Sequence, residues 1–514
     1  MELNLKKETI PYYEAVSETP FSFETTQETI VPDYCQDVAR VVDTTGMVLV
    51  HNKEMTPDGR VEVGGAIKAT VLFIPEGGTD LCALHLSIPF HSYCEGRNLA
   101  SCARYTVSAR LRGIDSRLLN PRKLLTRAEI TLEPVGYCQK EASLCTAVEA
   151  DESCGLQFLE ECADTTVITD VLEREFPYTE ELGLSAGRSG IQEILDTATH
   201  IYPADSKIVG NKLVLKGIIR SDVLYKDQEG ALATLTQEFL FSQIVETSAS
   251  EESGMAKATF DLTGYEYLIG TESEPEDTHA ITMSLHIRSN VEVLETKRLR
   301  FLSDLYSIAK NVVMATQPLP LVEDVRSFTK KQNMRETLET AVAVRQVCHA
   351  AVSCGTCTCQ VGEGMATAQI PVTIKALYLD ENDAVLLAEK NILVKGEMEA
   401  EEGSIPHIAL HCPGEITGTP TPEGMEIRFT LEFWMDTGKQ VQKLCIADAS
   451  LEELEPSAQR QPSVILRKFD QSTRLWDIAK QYRTTCADIL AANQVESEQA
   501  IPTDKLLLIP RRKI

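Results

Sequence analysis

The chain has 514 residues, 49 Lys and Arg against 77 Asp and Glu, and a net charge of −28. That balance argues against a nucleic-acid binder, whose phosphate contacts need clustered cations, and equally against docking on anionic membranes. A chain this long outgrows a single core, so about three or four domains are expected, and 43% hydrophobic residues is ordinary for globular protein.

The opening residues Met1-Glu2-Leu3-Asn4-Leu5-Lys6-Lys7-Glu8 hold no apolar run and do not read as a secretory signal. No window of about 18 apolar residues follows, so no transmembrane segment is expected and the protein should act in the compartment that makes it.

The first strong element is Gly65-Ala66-Ile67-Lys68-Ala69-Thr70-Val71-Leu72-Phe73, and the chain repeats it. A second copy runs from Gly217 to Tyr225 and a fainter third from Ile370 to Tyr378. In each, one parity is apolar (Ile67, Val71, Phe73; Ile219, Val223, Tyr225; Ile374, Ala376, Tyr378). The other carries Lys68, Thr70, Arg220, Asp222, Thr373 and Lys375. Period two with one apolar face predicts half-buried strands. Each copy is followed by a further alternating segment, within 84–90, 237–241 and 391–394. A longer strand comes next, at 127–132, 280–291 and 425–434. Residues 191–195 read equally as a helical turn or a strand. A closing signature recurs as Ile168-Thr169-Asp170, Leu302-Ser303-Asp304 and Ile446-Ala447-Asp448, and domain ends are expected just after it. The fold class expected is mainly β, with three tandem sandwich-like domains at 1–172, 173–308 and 309–453 and a linker at 454–463.

From 464 the charge reverses, with nine Lys and Arg against six Asp and Glu to residue 514. Leu475, Ile478, Ala479 and Tyr482 fall on one helical face, with Ser472 or Thr473 available as N-cap. A second helix opens on a Thr485–Asp488 capping box, and Asn493 is expected to end it in left-handed geometry. Strands at 464–466 and 506–510 complete a β-α-α-β module. Trp476 sits one residue off the apolar face, so part of its indole should remain exposed beside Arg474.

The residues Leu475-Trp476-Asp477-Ile478-Ala479 with Tyr482, Ala492-Asn493 and Leu507-Leu508-Ile509-Pro510 resemble the LysM domain. The family's Gly-Asp-Thr turn is replaced by Ser472-Thr473-Arg474. The resemblance implies a partner- or glycan-binding surface at Thr473, Arg474, Trp476, Asn493 and Ile501. The repeats, through Val71-Leu72-Phe73 with Glu76-Gly77 and Asn120-Pro121-Arg122-Lys123 before Arg127-Ala128-Glu129-Ile130, resemble the SPOCS domain. Three such units and one LysM resemble the SipL-type family of spore coat assembly proteins. That resemblance implies a non-enzymatic scaffold in the mother-cell cytoplasm, at the forespore surface. Its LysM would bind a SpoIVA-type coat morphogenetic ATPase, and the chain would meet other coat proteins. The alternative is a cell-wall protein whose LysM holds the N-acetylglucosamine units of peptidoglycan.

Fifteen cysteines occur, with none between Cys162 and Cys348, so no disulfide framework recurs with the repeats and reduced thiols are expected. Cys354, Cys357 and Cys359 with Cys348-His349 could ligate a metal, serve as a dithiol, cross-link late, or be inert. No phosphate-binding glycine loop or hydrolase signature occurs, and no catalytic residue or cofactor is expected. The acids Glu397, Glu399, Glu401 and Glu402 read as a solvated run. The basic run Arg97, Arg104, Arg110, Arg112, Arg117, Arg122, Lys123 and Arg127 reads as a solvated strand face or as the seat of an acidic partner.

Overall fold

A computed structural model describes residues 3–511 except 18, 97–98, 249–253, 272, 401–403, 405, 455–462, 471–472 and 503–504. The alternating segments form the strands expected of them. The first unit comprises β1 (Asn4–Ser17), β2 (Phe21–Ile30), β3 (Val38–Met55), β4 (Val61–Pro75), β5 (Cys82–Cys94), β6 (Arg104–Asn120) and β7 (Lys123–Glu149). The second comprises β8 (Leu156–Gly183), β9 (Ile191–Pro203), β10 (Lys207–Val209), β11 (Lys212–Asp227), β12 (Leu232–Glu246), β13 (Met255–Ile269) and β14 (Ala280–Ser307). The third comprises β15 (Asn311–Glu339), β16 (Val344–Cys354), β17 (Thr358–Gly362), β18 (Met365–Asp380), β19 (Val385–Glu399), β20 (His407–His411), β21 (Thr417–Thr421) and β22 (Gly424–Glu452). Residues 191–195, ambiguous by periodicity, open strand β9.

One plan underlies all three. An inner antiparallel sheet centres on β4, β11 or β18, flanked by β3 and β5, β9 and β12, or β16 and β19. An outer sheet centres on β7, β14 or β22, the last long strand of each unit. Its partner on one side is β8 or β15; in the first unit β1 and β2 divide that role along β7. The two layers face each other across an apolar core. Ile67, Val71 and Phe73 share a cluster with Leu124, Ala128 and Ile130. Ile219, Val223 and Tyr225 share one with Ile281, Met283 and Leu285, and Ile374 and Tyr378 share one with Ile427 and Leu431.

The expected division at 172/173 falls inside β8, a single strand of 28 residues paired with β14 along its length, so β8 belongs wholly to the second unit. The reason lies in the tripeptide taken as a closing signature. It is a β-bulge: Ser303 is the extra residue between the Leu302–Glu160 and Asp304–Leu159 pairs, and Ala447 is its counterpart in β22. In both, the Asp carboxylate accepts the next backbone N–H, Asp304 from Leu305 and Asp448 from Ala449, each at 2.9 Å. Ile168-Thr169-Asp170 makes the same bulge with the same bond to Val171, but on a first strand. In the first unit the closing bulge is Cys145-Thr146-Ala147, which lacks the Asp. The other expected division, 308/309, lies between β14 and β15, and most of the 454–463 linker lies outside the described residues.

The units close into a ring. β9 lies against β3, β4 and β5; β16 against β12; and β19 against β3. At the centre, equivalent residues meet: Leu72, Leu224 and Leu377 from the middle strands, with Val42, Leu195 and Cys348 from a second set of bulges. Part of the polar parity of the middle strands therefore faces neighbouring units, which corrects the half-buried reading there, while Lys68 stays exposed. Arg220 is 2% exposed, and Thr70 and Asp222 are buried too.

Next to each central bulge residue stands a polar side chain that crosses to another unit. Asp43 pairs with Lys375 at 2.7 Å, Asp196 accepts from Thr45 at 2.8 Å, and His349 Nδ1 meets the Thr234 hydroxyl at 3.1 Å. Burial raises the Asp196 carboxyl to about 6, with hydrogen bonds from Thr45 and Thr70 opposing it. A folded pKa above the unfolded value near 3.8 means the native state holds an extra proton between about pH 4 and 6. Stability therefore falls as pH rises through that window, and the ionised carboxylate costs about 3 kcal/mol at neutral pH. Asp196→Asn should match the parent near pH 4 and exceed it by that order above pH 7, read as the difference between the two urea-unfolding curves across pH.

Candidate functional site

The C-terminal module is built as its sequence pattern requires. β23 (Val464–Lys468) and β24 (Leu506–Pro510) pair antiparallel, and α1 (Leu475–Tyr482) and α2 (Cys486–Ala492) lie between them in the chain. Leu475, Ile478 and Ala479 of α1, Ile489 of α2, and Leu507 and Ile509 of β24 form its core. Thr485 caps α2 by accepting the Asp488 N–H at 2.9 Å, as the capping-box spacing implies. The start of α1 differs from expectation. Arg474 is its N-cap and makes no side-chain cap, Thr473 donates its backbone N–H to Asp470, and Ser472 lies outside the described residues. A distant carboxylate does the capping: Glu498 accepts the Leu475 N–H at 2.6 Å. Sequence spacing could not show this, because the partners are 23 residues apart.

The five residues singled out in this module separate. Thr473 is half-buried in the turn before α1, and Arg474 is exposed, forked onto Asp477 with both bonds at 3.2 Å. Asn493 has φ −99°, not left-handed; Gln494, with φ 53°, takes that geometry. The Asn493 amide instead donates to the Ile489 and Leu508 carbonyls and accepts the Leu508 N–H, so it lashes α2 to β24. Ile501 is 4% exposed inside the core and offers no side chain to a partner.

Trp476 is half-buried, but what covers it is the second unit. Its indole N–H donates to Asp304 Oδ2 at 2.7 Å, and Lys480, one turn along α1, reaches Oδ1 of the same carboxylate at 2.5 Å. The Tyr306 ring stands edge-on to the indole with centroids 4.9 Å apart, and its hydroxyl donates to the Thr484 carbonyl at 2.7 Å. Burial, aided by Cys486 and Asp304, pushes the Tyr306 hydroxyl above its ordinary pKa, so it remains a donor. Tyr306 and Ile308 join the module's own apolar cluster. Asp304 is the bulge aspartate of the recurring tripeptide; its recurrence was visible in the sequence, its use as a docking point was not.

Two family models match the chain. One, described as the SipL SPOCS domain, matches residues 190–269, from the start of β9 to the end of β13. The other, the LysM domain, matches 475–510. The chain carries a SipL SPOCS domain and a LysM domain. Both are non-catalytic binding modules, and together they fit a sporulation coat protein with a LysM module. No curated protein and no solved structure matches. Among the described residues no helix is long and apolar enough to cross a membrane.

The remaining clusters resolve into local structure. Cys348 points into the ring centre while its neighbour His349 meets Thr234, so the two do not converge on Cys354. Burial pushes the Cys348 thiol to about 11 and Cys354 to about 12, which keeps both protonated and poor nucleophiles. Cys102 and Cys138 are joined as a disulfide, a local exception to the expected reduced state. Five members of the basic run have carboxylate partners, Arg110 with Glu133, Arg112 with Glu129, Arg122 with Asp33 and Asp37, Lys123 with Glu28, and Arg127 with Glu24, while Arg104 and Arg117 are exposed. It is a charge ladder on a solvated face; Arg97 lies outside the described residues. Glu397 and Glu399 are exposed on β19, and Glu401 and Glu402 lie outside the described residues.

Proposed function

We propose that this chain is a non-enzymatic scaffold of spore coat assembly, built from three SPOCS-type units and a LysM head. The head would bind a SpoIVA-type coat morphogenetic ATPase, and the ring of units would recruit further coat proteins at the forespore surface, in the mother-cell cytoplasm. The observation that carries this reading is the presence of a SipL SPOCS domain and a LysM domain on one chain. The strand plan shared by 191–269 and its two counterparts supports counting three such units. A closed ring with apolar residues at its centre also suits a spacer that holds binding faces at fixed positions.

A second reading is favoured by the LysM match itself: peptidoglycan binding through N-acetylglucosamine units. Against it stand the Ser472-Thr473-Arg474 turn and the closure of Arg474 onto Asp477. Co-purification of the full chain with the purified coat ATPase, beside sedimentation with purified peptidoglycan, separates the two. The scaffold reading expects a stoichiometric complex and no pelleting. Strong pelleting without a complex reverses the order.

A further inference from the structure

The α1 face of LysM is already occupied. One carboxylate, Asp304, satisfies the Trp476 indole N–H and the Lys480 ammonium together, and Tyr306, two residues on along the same strand, covers the indole and reaches Thr484. Arg483 adds a bond to the Lys310 carbonyl at 3.4 Å. The contact combines apolar cover with charge-assisted hydrogen bonds, the chemistry of an interface and not of a passive tether.

We propose that this contact is an autoinhibitory latch: the second unit fills the recognition face of LysM in cis, and a partner of that face must bring its own carboxylate, flanked by an aromatic residue, to displace Asp304 and Tyr306. This rests on the reading of LysM as the partner-binding head. The surface that fits is an extended acidic-aromatic segment of the Asp-x-Tyr kind, with both side chains on one side of a strand, because residues i and i+2 share a face. The head and the rest of the chain are opposite in charge, which favours the closed state and makes it sensitive to salt.

The test uses the full chain. Hydrogen exchange over 475–484 is compared between the parent, Asp304→Ala, Tyr306→Phe and Lys480→Gln, with exchange over β11 as the control for folding. Capture of purified SpoIVA-type coat ATPase is measured for the parent and the two variants on the second unit. Release of the latch should raise exchange at least tenfold over 475–484 with β11 unchanged, and should tighten capture about fivefold or more. Lys480→Gln breaks the same contact from the LysM side, so its exchange result stands even where Asp304→Ala disturbs β14. Unchanged exchange in all three variants overturns the latch. Raised exchange with weakened capture also overturns it, since Asp304 would then belong to a composite binding surface. Raised exchange with no capture by any form leaves the docked state supported and sinks the choice of partner instead.

Discussion

Gly217→Ile should destabilise the inner sheet of the second unit, and adding Phe241→Val should offset part of that loss. Gly217 pairs with Phe241 in register, and a Cβ on Gly217 would land 2.4 Å from two carbons of the Phe241 ring and 3.0 Å from the Tyr202 carbonyl. Gly65 and Phe90 repeat this in the first unit, where the Cβ would strike the Leu49 carbonyl and sit 2.7 Å from the ring. The third unit solves the same position with Ile370 against Val394, both buried. In the third unit the flanking strand β16 ends at Cys354 opposite Val372, short of this position, and an aliphatic pair fills the space. Overpacking by Gly217→Ile alone is expected to cost about 3 kcal/mol or more. Phe241→Val alone leaves a void beside Phe176, Tyr178 and Phe260, worth about 2–3 kcal/mol. Because each change relieves the other, the double variant should recover about 2 kcal/mol or more of their sum. Amide exchange over 212–227 in the two single variants and the double gives the coupling; strict additivity would refute it.

That pair also explains what could be read from the sequence. Alternation located the middle strand of every unit because one face of each packs in a sandwich core, and the module after 464 was legible because its helices and strands are short and locally patterned. The third copy is fainter because Ile370 and Val394 stand where the other units have Gly and Phe. The bulge tripeptide was recognised as a recurrence, yet its first occurrence lies on β8 and not at the end of β7, since a bulge marks a bend in a strand whichever strand bears it. Three contacts were beyond reach. Polar residues of a period-two strand read as solvent-facing unless a neighbouring unit is known to cover them, as happens to Arg220 and Asp222. Glu498 on the Leu475 N–H and Asp304 under Trp476 join residues far apart in the chain, and no spacing announces such partners.

The ring is ordered by unlike pairs at like positions. Across the joints Asp43 faces Lys375, Asp196 faces Thr45 and Thr70, and His349 faces Thr234 with Asp222 nearby. A ring made from copies of the second unit would set Asp196 against Asp222, and one in reverse order would set Asp43 there, so like charges discourage both. Asp222 can hold this discriminating place, at 7% exposure, because Arg220 lies two residues away on the same face and pairs with it at 2.9 Å. Arg220 also donates to the Cys412 carbonyl at 2.7 Å, which ties the second unit to the third. Arg220→Met should therefore cost about 3–5 kcal/mol, mainly by stranding a buried carboxylate. The Cys412 carbonyl would keep a donor, since the Tyr202 hydroxyl reaches it at 3.1 Å. Neutralising the stranded group in Arg220→Met with Asp222→Asn should then return most of the loss, while Thr236 still donates to position 222. Urea unfolding of the parent, the single and the double variant measures this directly. A single-variant loss below about 1 kcal/mol, the range of exposed ion pairs, would mean that water reaches the joint and that Asp222 does not enforce the order of the ring.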